Sequence, residues 1–344
     1  MRRVRFIRNP LSTHIGHNVE EFLQELGGPA CIFLDGDDTS RTRAFVTLLH
    51  GNEPSGAIAL FQWLKSGRRP AVNAVCIVAS VTAALTSPVF SHRMLPEDRD
   101  LNRCFRPPFD DAQGALAEEI LEILRLHHPE AVVDMHNTSG SGPAFGVCTH
   151  MDRQHDALVS LFTQRLIISN LGLGALMEIS EHSYPTVTVE VGGRLDDEAH
   201  VLAAEGLERY FLAPTVLAQR ETDWGLELLR DPIRLELNEG VGLTYAERPS
   251  GAHAVTLRPD IEHLNFGVVP RDTALGWATG DIRRLFSALD AGGRCAVSKL
   301  VRIENEELYP AMDLKLFMIT NNAAIASTDC LFYAVAADGS TILS

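Results

Sequence analysis

The sequence has no long apolar segment and no closely paired cysteines. Its apolar runs fall short of the roughly 18 to 20 residues that cross a bilayer, which argues against a membrane-spanning helix. None of the six cysteines is in a C-x-x-C arrangement, and a chain of this size does not need disulfide bonds to fold. We therefore expect reduced thiols, mostly core-filling, in a cytoplasmic protein.

Basic residues are outnumbered by acidic ones. The chain has 30 Lys and Arg residues against 45 Asp and Glu residues, which gives a formal net charge of −15. Such a chain does not attract a nucleic acid through its overall field, so we expect no nucleic-acid or membrane partner. The basic segment Met1–Arg8 is followed by Asn9 and Pro10 rather than by an apolar stretch, so we do not expect a secretory signal.

Repeats and low-complexity stretches are also absent, and the composition is that of a globular protein. Hydrophobic residues make up 45% and charged residues 22% of the 344 residues, which excludes a disordered or collagenous chain. The length favours two domains.

The first 215 residues alternate apolar strand-like runs with helix-like segments. This alternation predicts an α/β domain with a mostly parallel sheet covered on both faces. Strands are predicted at Ala30–Leu34, Ala44–Leu49, Asn73–Val81, Ala131–Met135, Ala144–Thr149 and Thr186–Val191. Helices are predicted at Ser55–Lys65, Ala112–His127 and Asp196–Leu212.

From residue 216 to 344 the pattern changes to short runs broken by Gly, Pro, Asn and Asp, which is typical of a small β-rich domain. Strands are predicted at Ile233–Leu237, Gly242–Glu247, His253–Leu257, Leu300–Ile303, Asp313–Thr320 and Cys330–Ala336. Asp281–Asp290 is the one helix predicted in this part of the sequence.

Two segments at strand ends carry residues suited to a metal. His50 and Glu53 follow one strand, and an imidazole nitrogen with a carboxylate oxygen suits zinc. His136 follows another strand at the edge where α/β sheets bind ligands. Two histidines and one glutamate would leave a fourth zinc position open for water, as in catalytic sites. Asp134, two residues before His136, could hold the ring's other nitrogen. A surface loop and a strand-capping histidine are the simpler readings of the two segments.

Two further segments carry charged residues that invite a function. Glu190 stands near the end of a strand and before two glycines; it could be a structural ion-pair partner or a general base beside a metal-bound water. Asn102 and Arg103 follow Asp100, and the planar guanidinium suits a substrate carboxylate, although a solvated arginine is the commoner outcome. The other histidines, His150, His155 and His200 among them, have no partner at ligand spacing, and we expect them to be surface or core polar residues.

The four segments, in this order along the chain, resemble the succinylglutamate desuccinylase/aspartoacylase family, relatives of the zinc carboxypeptidases. They are His50-Gly51-Asn52-Glu53, Asp100-Leu101-Asn102-Arg103-x-Phe105, Asp134-x-His136-Asn137-Thr138 and Val189-Glu190-Val191-Gly192. The resemblance covers roughly residues 40–215 and continues faintly at Leu264-Asn265-Phe266 and Glu307–Pro310.

The resemblance implies one zinc ion in a carboxypeptidase-like domain, with the β-rich domain over the site entrance. By position, His50, Glu53 and His136 match the zinc ligands and Glu190 matches the catalytic glutamate. The remaining matches are Asn102 and Arg103 for the substrate carboxylate, Tyr309 for a tyrosine that reaches the site in aspartoacylases, and Asp134 and Asn137 as supports behind the ligands.

Two departures from the family pattern bear on the substrate. The family's arginine five residues before the aspartate of D-L-N-R is Leu95 here, and Arg93 or Arg99 would have to polarise the scissile carbonyl instead. Aspartoacylases also carry an arginine about ten residues before the catalytic glutamate. Position 180 is Ser, and Met177–Val191 contains no Arg, which argues against N-acetylaspartate.

The predicted function is a zinc-dependent amidohydrolase that removes the acyl group from a small N-acyl amino acid, with Glu190 as general base. A zinc exopeptidase, a succinylglutamate desuccinylase and a non-catalytic zinc-binding module remain alternatives. The sequence leaves the acyl group, the amino acid and the oligomeric state open, a homo-oligomer included.

Overall fold

The computed structural model describes residues 3–138, 140–169, 172–217, 223–290, 292–340 and 342. The chain divides into two compact units, one of residues 1–137 and 144–228 and the other of residues 138–143 and 229–344. The sequence places the boundary of its two domains after residue 215, and that division stays a prediction. No helix in the described ranges is long and apolar enough to cross a bilayer.

The first unit is built around a nine-stranded mixed sheet in the order β1-β2-β4-β3-β5-β8-β6-β7-β9. Its strands are β1 (Arg5–Arg8), β2 (Ala30–Leu34), β3 (Asp38–Thr47), β4 (Val72–Val78), β5 (Val132–Thr138), β6 (Phe145–Cys148), β7 (Arg165–Ile168), β8 (Thr186–Gly193) and β9 (Glu227–Arg230). Strand β3 pairs in parallel with both β4 and β5, whereas β8 pairs with β6 in the antiparallel sense.

Helices cover both faces of this sheet, which is why its central strands are apolar throughout rather than alternating. Phe45 of β3 packs with Leu60 and Tyr210 in one core, and its neighbour Val46 packs with Ile120 in the other. The helices are α1 (Val19–Leu26), α2 (Ser55–Ser66), α3 (Val81–Leu85), α4 (Ala112–His127), α5 (Arg153–Ser160), α6 (Leu176–Ser180) and α7 (Asp197–Leu212), with a 3₁₀ turn at Leu101–Arg103.

The second unit contains two five-stranded sheets with their own apolar core. The sheets run β13-β18-β19-β10-β15 and β11-β12-β14-β17-β16. The strands are β10 (Ile233–Leu237), β11 (Leu243–Tyr245), β12 (Val255–Leu257), β13 (Val268–Val269), β14 (Gly276–Ala278), β15 (Phe286–Ser287), β16 (Val301–Glu304), β17 (Glu307–Pro310), β18 (Leu314–Phe317) and β19 (Phe332–Ala336). The short helices are α8 (Ile282–Leu285), α9 (Val297–Leu300) and α10 (Ala323–Thr328), with a 3₁₀ turn at Ile261–Leu264.

The predicted fold class is confirmed: the chain has an α/β fold with a mostly parallel mixed sheet and additional β-rich sheets in its C-terminal part. The predicted helix at Asp281–Asp290 is wrong beyond Leu285. Phe286 and Ser287 instead form β15, antiparallel to β10. The reason is packing, because Phe286 is buried in the core of the second unit and the strand keeps its backbone hydrogen-bonded there. Five of the six cysteines are buried and Cys295 is exposed.

Candidate functional site

The four candidate residues for a metal and its base lie on adjacent elements of the nine-stranded sheet. His50 and Glu53 stand in the turn between β3 and α2, His136 lies on β5, and Glu190 lies on β8. Strands β3, β5 and β8 are neighbours. The turn can pass close to α3 and to the loop after it only because Gly51 has no side chain: a Cβ there would come within 2.7 Å of atoms of Ala83, Ala84 and His92.

Glu53 lies between the two histidine rings. Its Oε1 is 2.8 Å from His50 Nδ1, and its Oε2 is 2.7 Å from His136 Nδ1. The three side chains are buried, and one ligating atom from each lies within 4.8 Å of the others. His50 Nδ1 has no well-directed hydrogen-bond partner among the described residues. The arrangement therefore places two nitrogens and one carboxylate around a common point.

A second carboxylate holds the far side of each ring. His50 Nε2 is 2.9 Å from Asp100 Oδ1, and His136 Nε2 is 2.9 Å from Asp134 Oδ2. With a metal between the rings, a proton on each Nε2 would donate to these carboxylates, and the lone pair on each Nδ1 would be left for the metal. Metal-ligating histidines are usually oriented in this way. Asp134 thus contacts the outer nitrogen of His136, and its role behind a metal ligand stays a prediction.

Asp100 is a site residue that the sequence analysis did not single out. Besides His50, its carboxylate accepts hydrogen bonds from the backbone of Asn102 at 2.8 Å and from Arg93 at 2.9 and 3.2 Å. The signal was present, because Asp100 opens the D-L-N-R segment. Its partner His50 is fifty residues earlier, however, so spacing alone could not pair them.

Asn137 ties three elements of the site together. Its backbone N–H donates to Glu53 Oε2 at 3.3 Å, and its side-chain amide donates to the Gly192 carbonyl at 2.9 Å and to the Ser55 hydroxyl at 2.7 Å. Ser55 in turn lies 2.8 Å from His200 Nδ1. Neither Ser55 nor His200 was a candidate from the sequence. The network links the turn after β3 to β5 and to the end of β8, where Glu190 lies.

Glu190 has a buried oxygen, Oε2, with no hydrogen-bond partner among the described residues. Burial raises the pKa of its carboxyl to about 7, an effect that His136 opposes and Glu53 reinforces. Leaving such a group without a donor is costly. A carboxyl whose pKa lies near neutrality can both accept and return a proton at physiological pH.

The pKa values of the buried carboxyls and of His136 shift toward the charged form of each group, because each has neighbours of opposite charge. Burial alone would raise the pKa of the Glu53 and Asp100 carboxyls, but the neighbouring histidines, and Arg93 beside Asp100, hold both pKa values far below their usual range. Burial would lower the pKa of His136, but Asp134 and Glu53 raise it well above its ordinary value.

Of the two arginines considered for the carbonyl-polarising role, Arg93 lies beside the site. Its Nη1 donates to Glu53 Oε1 at 3.3 Å, and its guanidinium also grips Asp100. Arg99 instead forms an ion pair with Asp111. The structure thus brings Arg93 to the cluster of His50, Glu53 and His136, and its contact with substrate stays a prediction.

Asn102 and Arg103 form the 3₁₀ turn next to Asp100. The Asn102 side-chain oxygen accepts a hydrogen bond from the Leu176 backbone at 3.0 Å, and Arg103 Nη1 donates to the Asn102 carbonyl at 2.9 Å. Asn102 is therefore committed in part to holding the start of α6, which leaves Arg103 as the stronger candidate for an anionic substrate.

Two expectations about more distant residues have different outcomes. Ser180 is buried and its hydroxyl bonds Leu176 and Thr186, so its position supplies no charge for a second carboxylate. Tyr309 lies on β17, where its hydroxyl donates to Glu307 and the Arg302 guanidinium covers its ring at 4.8 Å. A contact of Tyr309 with substrate stays a prediction.

The fold and these motifs identify a hydrolase family. Residues 42–210 match the model of the succinylglutamate desuccinylase/aspartoacylase catalytic domain, and this range includes His50, Glu53, His136 and Glu190. The resemblance that the four motifs predicted is thus confirmed over this segment of the chain. No curated protein sequence matches the chain.

Several solved structures share the fold at low sequence identity. The succinylglutamate desuccinylase of Chromobacterium violaceum is 12% identical with a TM-score of 0.56, and covers 88% of this chain and 87% of its own. A succinylglutamate desuccinylase/aspartoacylase of Rhodobacter sphaeroides is 15% identical with a TM-score of 0.54, covering 85% and 83%. The ectoine utilization protein EutE (DoeB) of Ruegeria pomeroyi is 14% identical with a TM-score of 0.52, also covering 85% and 83%.

Proposed function

We propose that the protein is a zinc-dependent amidohydrolase that removes the acyl group from an N-acyl amino acid. One observation carries the proposal: His50, Glu53 and His136 converge on adjacent strand ends, with Glu190 buried nearby and one of its oxygens without a partner among the described residues. The family match supports a deacylase reaction, and the geometry supports the metal and the base.

The donor set fits zinc. Two imidazole nitrogens and one carboxylate are the protein ligands of many catalytic zinc sites, which keep a fourth position for water or substrate. The outer carboxylates Asp100 and Asp134 hold both rings in the tautomer that a metal requires. When bound, zinc would lower the pKa of a water and polarise the amide carbonyl.

The chain's own groups supply the proton transfers and the positioning. Glu190 takes the proton from the attacking water and returns it to the leaving amine, for which a carboxyl pKa near 7 is suited. Arg93 holds a positive charge next to Glu53, where an oxyanion formed from the amide carbonyl would gain from it. Arg103 binds the α-carboxylate of the amino acid through its planar guanidinium.

The substrate we favour has one carboxylate to be bound by Arg103 and no second one that needs an arginine before Glu190. Ser180 and the rest of Met177–Val191 offer no arginine, which disfavours N-acetylaspartate. A zinc exopeptidase would use the same ligands, and it is separated from a deacylase by its substrates.

A hydrolysis screen tests this proposal. N-acetyl-, N-formyl- and N-succinyl-amino acids are compared with dipeptides, with and without a chelator. We expect release of free amino acid from one acyl series and its loss on chelation. Cleavage of dipeptides alone would favour the exopeptidase, and turnover that is indifferent to chelation would refute the metal-dependent mechanism.

A further inference from the structure

A second cluster of ligand-type side chains lies away from the candidate active site. His150, Asp152 and His155 place ligating atoms within 4.8 Å of one another, and Glu181 contacts both histidines. Glu181 also accepts a hydrogen bond from the Thr186 backbone at 2.8 Å, at the start of β8. Glu190 is four residues further along that strand, which corresponds to about 13 Å. The two clusters therefore lie toward opposite ends of β8.

His155 organises this cluster from the inside. The ring is fully buried, with Nδ1 2.8 Å from Asp152 Oδ1 and Nε2 2.9 Å from Glu181 Oε2. Asp152 Oδ1 also caps α5 by accepting from the backbone of Gln154 and His155. Each carboxylate thus uses one oxygen for internal hydrogen bonds, and its orientation is fixed by them.

The other oxygens face the exposed ring of His150. Asp152 Oδ2 is 3.5 Å and Glu181 Oε1 is 3.8 Å from His150 Nε2. These separations exceed an ordinary hydrogen bond but match two ligands of one cation, since metal bonds near 2.1 Å at tetrahedral angles place ligand atoms about 3.4 Å apart. The Thr149 hydroxyl, 3.0 Å from His150 Nδ1, helps to hold the ring in that orientation.

The charges of the cluster also favour a divalent cation. Asp152 and Glu181 bring two negative charges, which stay unbalanced when the rings of His150 and His155 are both neutral. A divalent cation beside His150 would balance both charges, and one nitrogen with two carboxylate oxygens suits zinc or a similar first-row ion.

We propose that His150, Asp152 and Glu181 form a second divalent-cation site, with His155 as the residue that positions its carboxylates. The cation would join the turn before α5 to the segment between α6 and β8. Its role is structural, because it is remote from Glu190, and it does not depend on the proposed hydrolysis.

The test is the zinc stoichiometry of the purified chain after titration with Zn²⁺ alone. We expect two equivalents for the wild type and one for His150→Ala. Asp152→Asn should also bind one, because asparagine keeps the helix cap but loses the outer oxygen. His182→Ala removes an exposed histidine next to Glu181 and should keep two. In His136→Ala the lost equivalent should be the one that supports activity.

Thermal unfolding gives a second measurement. In the His136→Ala background, Zn²⁺ should raise the melting temperature, and adding His150→Ala should remove that increase, since a ligand stabilises only the state that binds it. The affinity for the second equivalent should fall at least about 10-fold when one of its residues is lost. If the wild type and His150→Ala bind the same number of zinc ions per chain, the proposal is wrong. The cluster is then held together by hydrogen bonds and ion pairs without a metal.

Discussion

The two carboxylates behind the metal-ligating rings should respond differently to the same substitution. In Asp134→Asn and Asp100→Asn the amide oxygen can still accept the Nε2 proton of its histidine, so the shape is kept and the charge is lost. Asp134 serves His136, whereas Asp100 serves both His50 and Arg93. We expect a pure metal-binding defect in the first variant and a combined defect in the second.

The size of each effect follows from these contacts. Loss of a carboxylate behind a ligating histidine costs about 10- to 100-fold in metal affinity, or roughly 1.4 to 2.7 kcal/mol. Both variants should show this loss. At saturating metal, Asp134→Asn should recover most of its kcat. Asp100→Asn should not, because Arg93 loses the carboxylate that accepts two of its hydrogen bonds and its guanidinium is no longer fixed beside Glu53.

The assay is zinc affinity by competition with a chelator, followed by kcat at saturating zinc for both variants. Asp134 is fully buried and its Oδ1 has no hydrogen-bond partner among the described residues, so the amide introduced by Asp134→Asn could leave a donor unsatisfied at a cost of about 1 to 3 kcal/mol. Melting temperatures therefore accompany the kinetics. Unchanged zinc affinity in both folded variants would refute the assigned orientation of the rings, and equal recovery of kcat would refute the role of Arg93.

Three further predictions concern the base, the substrate anchor and the core. Glu190→Gln should retain its metal and lose about 10²-fold or more in kcat, because glutamine cannot take a proton; near-normal turnover would point to another base. Arg103→Ala should raise KM for an N-acyl amino acid far more than for its amide, and Arg103→Lys should rescue it only partly; equal turnover of acid and amide by the wild type would contradict this. Arg43→Met should destabilise the fold by about 2 to 4 kcal/mol, because the buried guanidinium binds Glu130 and two backbone carbonyls. Arg41 is more exposed and also contacts Glu130. Arg41→Met should therefore lower the free energy of unfolding, measured by denaturant titration, by less than about 1 kcal/mol.

The strands of the sheet could be predicted from the sequence, because burial on both faces makes each strand a continuous apolar run. Strands such as Ala30–Leu34 and Ile233–Leu237 have the predicted bounds, since apolar runs between turn residues have few alternatives. Asn73–Val81 was predicted too long, and the structure ends β4 at Val78 and begins α3 at Val81. Val78 ends the strand and Val81 begins the helix, so the run of apolar residues did not show where the boundary between β4 and α3 lies.

Some residues of the candidate site could likewise be predicted from the sequence, and others could not. His50, Glu53 and His136 could be proposed because they follow strands that neighbour each other. The groups that orient them were harder to predict from the sequence, because they are far from their partners along the chain. Asp100 contacts His50 from fifty residues away, and His200 contacts Ser55 from α7. His155 was expected to be a surface or core polar residue with no partner at ligand spacing, yet it bonds Asp152 three residues earlier and Glu181 far along the chain. The contact with Asp152 could have been predicted from its spacing of three residues at a helix start. The contact with Glu181 could not, because only the folded chain brings the two residues together.

The charges of the candidate site explain why these supporting groups accompany the ligands. With neutral imidazoles, Glu53, Asp100 and Asp134 carry three negative charges and Arg93 carries one positive charge, so the buried centre has a deficit of two positive charges. The carboxylates raise the pKa of His136, whose proton meets part of this demand, and the neighbouring positive charges lower the pKa values of Glu53 and Asp100. A divalent cation held by His50, Glu53 and His136 would meet all of it and would take the place of that proton. Glu190 belongs to the same set of interacting charges: burial raises the pKa of its carboxyl to about 7, Glu53 adds to that effect and His136 opposes it.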